Sequence, residues 1–161
     1  MQDTRLGESS LSVEMASRIS VRHYTPGAPQ DVHDASVYIL HLPAPSLSNP
    51  STSLVSQITA ELRAHFNILR VNSGAKLVLL TRLLPEPGTV DADVEAFARA
   101  HDLCLHQMAN NWALDTPRLL EILDSVRDSV GRLVVVSKHF SRRHLTAALA
   151  VQIRPHNLSY N

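Results

Sequence analysis

The amino-acid sequence predicts an α/β fold in which parallel strands, joined by a crossover helix, are closed by an antiparallel β-hairpin. Three observations carry that expectation. Two short apolar runs, SVYILHL at 36–42 and Leu77 to Leu80, are too short for buried helices and are bounded by proline and glycine. Between them Leu54, Val55, Ile58, Leu62, Phe66 and Leu69 recur at helical spacing and form one apolar stripe. Near the end of the chain, LVVVS at 133–137 and AALAVQI at 147–153 flank a polar, basic loop.

Bulk properties narrow the class. A chain of 161 residues, 44% apolar and 19% charged, is one domain with room for a sizeable core. Lys+Arg and Asp+Glu both total 15, so nothing in the charge points to nucleic acid or an anionic membrane. The single cysteine, Cys104, excludes an internal disulfide and suits a reducing compartment. No apolar run approaches the ~18 residues of a membrane span. The first fifteen residues lack the apolar core of a secretory leader, so a soluble, cytoplasmic protein is expected. The expected organisation is a flexible N-terminus over 1–15, an α/β domain over 16–156 and a tail over 157–161.

Taken in order, residues 18–24 alternate Ile19 and Val21 with Ser20 and Arg22, as a short strand would. A loop with Pro26, Gly27 and Pro29 follows. The 36–42 strand stops at Pro43 and Pro45. Asn49 then caps a helix whose first position holds Pro50. That helix ends at Asn72-Ser73-Gly74 and leads into the strand centred on Leu77 to Leu80. Both strands read as buried on both faces, as in a parallel sheet. The PEPG turn over 85–88 ends the second strand, because its prolines lack N–H groups and Gly88 permits a tight turn. Residues 91–108 read as helix, with Val94, Phe97, Ala98, Leu103 and Leu105 as core candidates and Cys104 as a packed thiol. Thr116 and Pro117 start another helix, which Gly131 closes. The crevice at the carboxyl end of the central strand, around Thr81 to Glu86, is where open α/β sheets bind ligands.

Several of these strings, in this order, resemble the C-terminal half of the fungal and plant class I S-adenosylmethionine-dependent O-methyltransferases. ASVYILH at 35–41 stands for that family's fourth strand, LLPEPG at 83–88 for its VLPEPG string, and Asp102, Leu103, Leu105 and Asn110 for a helical motif. RISVRHYTPGAP at 18–29 falls on an adenine-contacting loop. The likeness covers residues 16 to 156. It implies a partial Rossmann-like methyltransferase sheet, S-adenosylmethionine as cofactor, and a small aromatic or polyketide-like substrate. His23 and Tyr24 remain as residual cofactor contacts, and His106, Met108, Asn110 and Trp112 fall in the substrate pocket.

The chain also departs from that pattern. Its five glycines are scattered, and no G-x-G occurs, so the glycine-rich cofactor turn is missing. The family's general-base histidine falls on Pro45, and the acid supporting it falls on Thr81. His41, at the end of the first buried strand, has the chemistry of an acid or base and is the catalytic candidate; a satisfied structural histidine is the alternative. His101 and His106 are five apart and point to different helix faces, so no metal is expected.

Three functions follow from the resemblance. One is a methyltransferase that needs a partner chain supplying the missing half-domain. The second is a non-methylating cyclase or isomerase using the same pocket. The third is an inactive dimerisation or regulatory pseudoenzyme. In the resembled fold the strand at 36–42 would lie beside a missing neighbour, so a homodimer or a second chain is expected at that edge.

Overall fold

The computed structural model describes residues 23, 25–28, 31–45, 51–141, 143 and 145–156, without the side chains of 51–53. The strand expected over 18–24 lies, His23 apart, outside the described residues, as do Tyr24 and the Asn49–Pro50 cap. Four strands and three helices follow in the order β1 (Val37–His41), α1 (Ser51–Val71), β2 (Lys76–Arg82), α2 (Ala92–Ala109), α3 (Thr116–Ser125), β3 (Gly131–Phe140) and β4 (Thr146–Pro155).

The strands form one mixed sheet in the order β1-β2-β4-β3. β1 and β2 run parallel, with Tyr38 beside Leu77 and Leu40 beside Leu79. β4 pairs antiparallel with β2 on one side and with β3 on the other, and the β3 register shifts between Val135 and Ser137. The fold class expected from the sequence is therefore the one observed. The hairpin is longer than expected: β3 continues to Phe140, and much of the anticipated loop is strand.

One sheet face makes the core. Tyr38 and Leu40 of β1, Leu77 and Leu79 of β2, and Leu149 and Val151 of β4 alternate onto it and are buried. The α1 stripe covers them: Leu54, Ile58, Leu62, Phe66 and Leu69 are all buried, as the spacing predicts. Each such side chain contributes about 1.5–3 kcal/mol on leaving water. Polar groups inside this layer are partnered. Glu61 accepts the Gly27 N–H at 2.8 Å, and His65 donates from Nδ1 to the Glu61 carbonyl at 2.8 Å while its ring meets Tyr38 edge-on. Leu119, Ile122 and Leu123 of α3 extend the core over β3.

Burial on both faces is not found. Val37 and Ile39 are 52% and 69% exposed, and β1 alternates exposed and buried along its length. The reason is the packing: α1 lies against β2, β4 and α3, and α3 against β3, so both helices serve the same face. Helix α2 also departs from expectation. Ala98 and Leu105 are buried, but Phe97 and Leu103 are more than half exposed. Cys104 is exposed as well, with its Sγ 3.4 Å from Met108 Sδ. Finally, α3 stops at Ser125 rather than at Gly131, which opens β3. A Cβ at Gly131 would stand 2.6 Å from the Arg154 carbonyl oxygen, so that glycine serves close strand pairing.

Candidate functional site: the crevice at the strand ends

Beyond Arg82 the chain leaves the sheet but stays tied to two distant loops. The Leu83 N–H donates to the Leu145 carbonyl at 3.0 Å, and the Leu84 N–H to the Leu114 carbonyl at 2.7 Å. Two of the clefts at the strand ends flank this stitching. One, of about 180 Å³, lies among Leu84, Pro85, Glu86, Thr116, Phe140 and Leu145. The other, of about 110 Å³, lies among Pro45, Arg82, Leu84, Phe97, His101 and Leu114. Their walls are mainly apolar, with Arg82, Glu86 and His101 as the ionisable groups.

The PEPG turn forms one lip and is held by α2. Gly88 takes φ +75°, where a side chain would be strained, and nothing lies within 4 Å of a Cβ built there. Its N–H donates to Glu95 Oε2 at 2.8 Å, and Arg99 donates to the Pro85 carbonyl at 2.7 Å. Thr89 closes the turn by donating its hydroxyl to the Glu86 carbonyl at 2.7 Å. The far lip is fixed by the loop between α2 and α3. Asp102 accepts the Ala113 N–H at 2.7 Å, and the fully buried Asn111 accepts the Trp112 N–H at 3.0 Å. Asp115 caps α3 by accepting the Arg118 N–H at 2.9 Å. The Arg118 guanidinium lies 4.2 Å above the Trp112 ring, a cation–π contact.

The expected site residues do not meet in one place. His41 is exposed at the end of β1 and borders a separate hollow with Pro26, Gly27, Pro43 and Glu61. His106 and Met108 are exposed on α2 and line neither strand-end cleft. Asn110 takes a left-handed conformation, φ 46°, at the end of α2, and its N–H donates to the His106 carbonyl. Trp112 is half-buried beneath Arg118 and also stands outside both clefts. His23 is exposed, and Tyr24 lies outside the described residues. Sequence reading missed Phe97 and His101, whose rings stack at 6.4 Å beside the smaller cleft. Their spacing of four was the available signal. Among the described residues no group of three His, Cys, Asp or Glu side chains is placed to hold a metal ion. No described helix is long and apolar enough to cross a membrane.

A search of solved structures gives the fold a name. LepI, solved in complex with S-adenosylmethionine, and a structure described as a pericyclic reaction enzyme each superpose with a TM-score of 0.56. The LepI complex with S-adenosylhomocysteine and a substrate analogue is 15% identical, and the match covers 81% of this chain and 29% of LepI. The methyltransferase CalO6 superposes over 78% of this chain and 37% of its own, with a TM-score of 0.50 and 14% identity. The chain thus has a methyltransferase-like fold.

Sequence similarity leads elsewhere. The monodictyphenone cluster transcriptional coactivator mdpA of Emericella nidulans is 45% identical over 91% of this chain. A transcriptional coactivator of Pseudocercospora fijiensis is 49% identical over 88%, and the dothistromin biosynthesis regulatory protein aflJ of Dothistroma septosporum is 38% identical over 92%. The chain spans 30%, 38% and 33% of these relatives, about a third of their length. No protein-family model matches it.

S-adenosylmethionine does not fit the described residues. Holding it in the manner the resemblance implies calls for a glycine turn with free N–H groups at a strand end. Here the Gly27 and Gly88 N–H groups are already committed to Glu61 and Glu95. The residue at the supporting-acid position, Thr81, is buried and donates its hydroxyl to the Arg82 carbonyl at 3.4 Å.

Proposed function

We propose that this chain is part of a transcriptional coactivator of a secondary-metabolite gene cluster, built on a methyltransferase-like fold that it does not use for methyl transfer. One observation carries the reading: three proteins of 38–49% identity over most of this chain are named coactivators or regulators of transcription or biosynthesis. The site chemistry supports it. Pro45 has no proton to exchange, Thr81 offers no carboxylate, and His41 stands apart from the strand-end clefts. Balanced charge, with 15 cationic and 15 acidic side chains, suits action through another protein better than direct grip on DNA. Methyl transfer to an aromatic or polyketide-like hydroxyl by a two-chain enzyme needs a base in the crevice, and His101 is the only histidine lining the two clefts among the described residues; a cyclase would need Asn110 and His41 to orient its substrate, and neither lines those clefts.

Deleting the coding sequence and measuring transcripts of the neighbouring biosynthetic genes tests the proposal. Transcripts should fall, and both the wild-type chain and a His41→Ala, His101→Ala double variant should restore them. Unchanged transcripts with loss of one metabolite, recovered only when both histidines are present, would show an enzyme instead.

A further inference from the structure

Three features meet at the tip of the β3–β4 hairpin. Its connection is basic, with Arg142, Arg143 and His144 in succession. Thr146, the first residue of β4, is exposed. Arg82, the last residue of β2, is exposed and lies directly across from it. The Leu83 N–H donates to the Leu145 carbonyl, so the next pair along, Arg82 and Thr146, is one without mutual hydrogen bonds, in which side chains stand closer. Opposed residues in such a pair share a face, with Cβ atoms ~4.5–5.5 Å apart.

Arg143, three residues before Thr146, reaches the same place. It lines one hollow of about 330 Å³ with Arg82, Thr146 and Asp93. Arg70, Arg99, Arg127 and Arg132 each pair with an acid, whereas neither Arg82 nor Arg143 has a carboxylate partner among the described residues. Asp93 is the one acid on the wall of the hollow, so two cations face one anion around the threonine hydroxyl.

We propose that Thr146 is a phosphorylation site, modified by a serine/threonine kinase that selects basic substrates and held afterwards by Arg82 and Arg143. Such a kinase finds Arg143 three residues before its target, with Arg142 before that, a charge pattern matched to an acidic substrate cleft. The γ-phosphoryl group of ATP passes to Thr146 Oγ1. The bond from that phosphorus to the bridging oxygen breaks, ADP leaves with the electron pair, and the hydroxyl proton goes to the kinase's catalytic carboxylate. The product carries about two negative charges at pH 7 and three acceptor oxygens. Guanidinium groups meet such oxygens with parallel N–H donors, and two of them stand around this one. The arginines have separable roles: Arg143 serves the kinase and the product, while Arg82, remote in sequence, serves the product alone. The phosphate ties the hairpin tip to the end of β2, and because Thr146 also lines the larger strand-end cleft, it places charge at the mouth of that cleft. The proposal concerns modification and does not rest on the transcriptional reading.

The test treats the folded chain with ATP and either of two purified kinases, the cyclic-AMP-dependent and the calmodulin-dependent type II enzymes, and maps phosphate by mass spectrometry. One phosphate on Thr146 is expected from at least one of them. Thr146→Ala should abolish it, and Thr146→Ser should retain it. Arg143→Ala should slow it by about tenfold, and Arg82→Ala should leave its rate unchanged. Phosphorus NMR of the product then reads the clamp. The second ionisation of a free phosphothreonine falls at about pH 6. Two neighbouring cations favour the dianion, so it should lie about one unit lower here and return towards 6 in Arg82→Ala. Any of four results would overturn the proposal: no phosphate from either kinase, phosphate on Ser141 instead, an ionisation that Arg82→Ala does not move, or modification of a peptide spanning 138–149 but not of the folded chain. The last would mean that the sheet withholds the hydroxyl.

Discussion

The two faces of this sheet are both apolar at their centres and meet opposite fates. On one, Leu77, Leu79 and Val151 are sealed beneath α1 and α3 with no measurable exposure. On the other, Ile39 is 69% exposed although it sits in the same strand as Leu40, which is 9% exposed. Apolar character alone therefore does not say what is core. What decides is whether a helix with a complementary stripe lies within reach, and all the described sheet-packing helices lie on one side.

The difference is open to a graded series of substitutions. Leu79→Ala, on the sealed face, should cost about 3 kcal/mol or more in urea unfolding, because its surroundings cannot close the hole. Ile39→Ala, on the neighbouring strand and the open face, should stay within about 0.5 kcal/mol. Equal losses at the two sites would mean that the open face is already covered. Next comes Gly131→Ala. A methyl group 2.6 Å from the Arg154 carbonyl should force β3 and β4 apart at a cost of about 1–3 kcal/mol, read from the same unfolding curves. Asp115→Ala, which strips α3 of the side-chain acceptor for the Arg118 N–H, should cost about 1 kcal/mol and loosen the helix that seals the β3 end.

The smallest effect concerns acid. The Gly131 N–H, then the Val130 N–H, both 2.8 Å from Asp128 Oδ1, hold that carboxyl below its usual value of 3.8, and Arg70 adds to the shift. A depressed folded-state value stabilises the fold above the unfolded-state value, and the gain is lost as pH falls through the folded one. Asp128→Asn should therefore be less stable than wild type at pH ~6, and the gap should shrink at pH ~2. A gap independent of pH would remove the charge from the account.

Much of the sealed face was legible in the sequence. The α1 stripe needs only a 3.6-residue period, and the two apolar runs needed only their length and their flanking prolines to read as parallel neighbours. Which face each strand would bury was not legible. An unbroken run such as Leu77 to Leu80 looks alike whether one side or both are covered, and the choice lies with helices far off in sequence. The exposure of Phe97 and Leu103 escaped for the same reason. The crevice was legible as a place, from the PEPG turn at a strand end, but not in its walls. Those depend on Leu83 meeting Leu145 and Leu84 meeting Leu114, pairings that no local pattern announces. That rearrangement is also why His41, chosen for its position at a strand end, lies by a different hollow from His101.

We propose that the methyltransferase-like fold serves here without gripping S-adenosylmethionine. Titrating the chain with S-adenosylmethionine in a calorimeter tests this most directly. No saturable heat is predicted at any ligand concentration reached. A saturable one-to-one isotherm, weakened by substitution of Gly27 or Gly88, would contradict it.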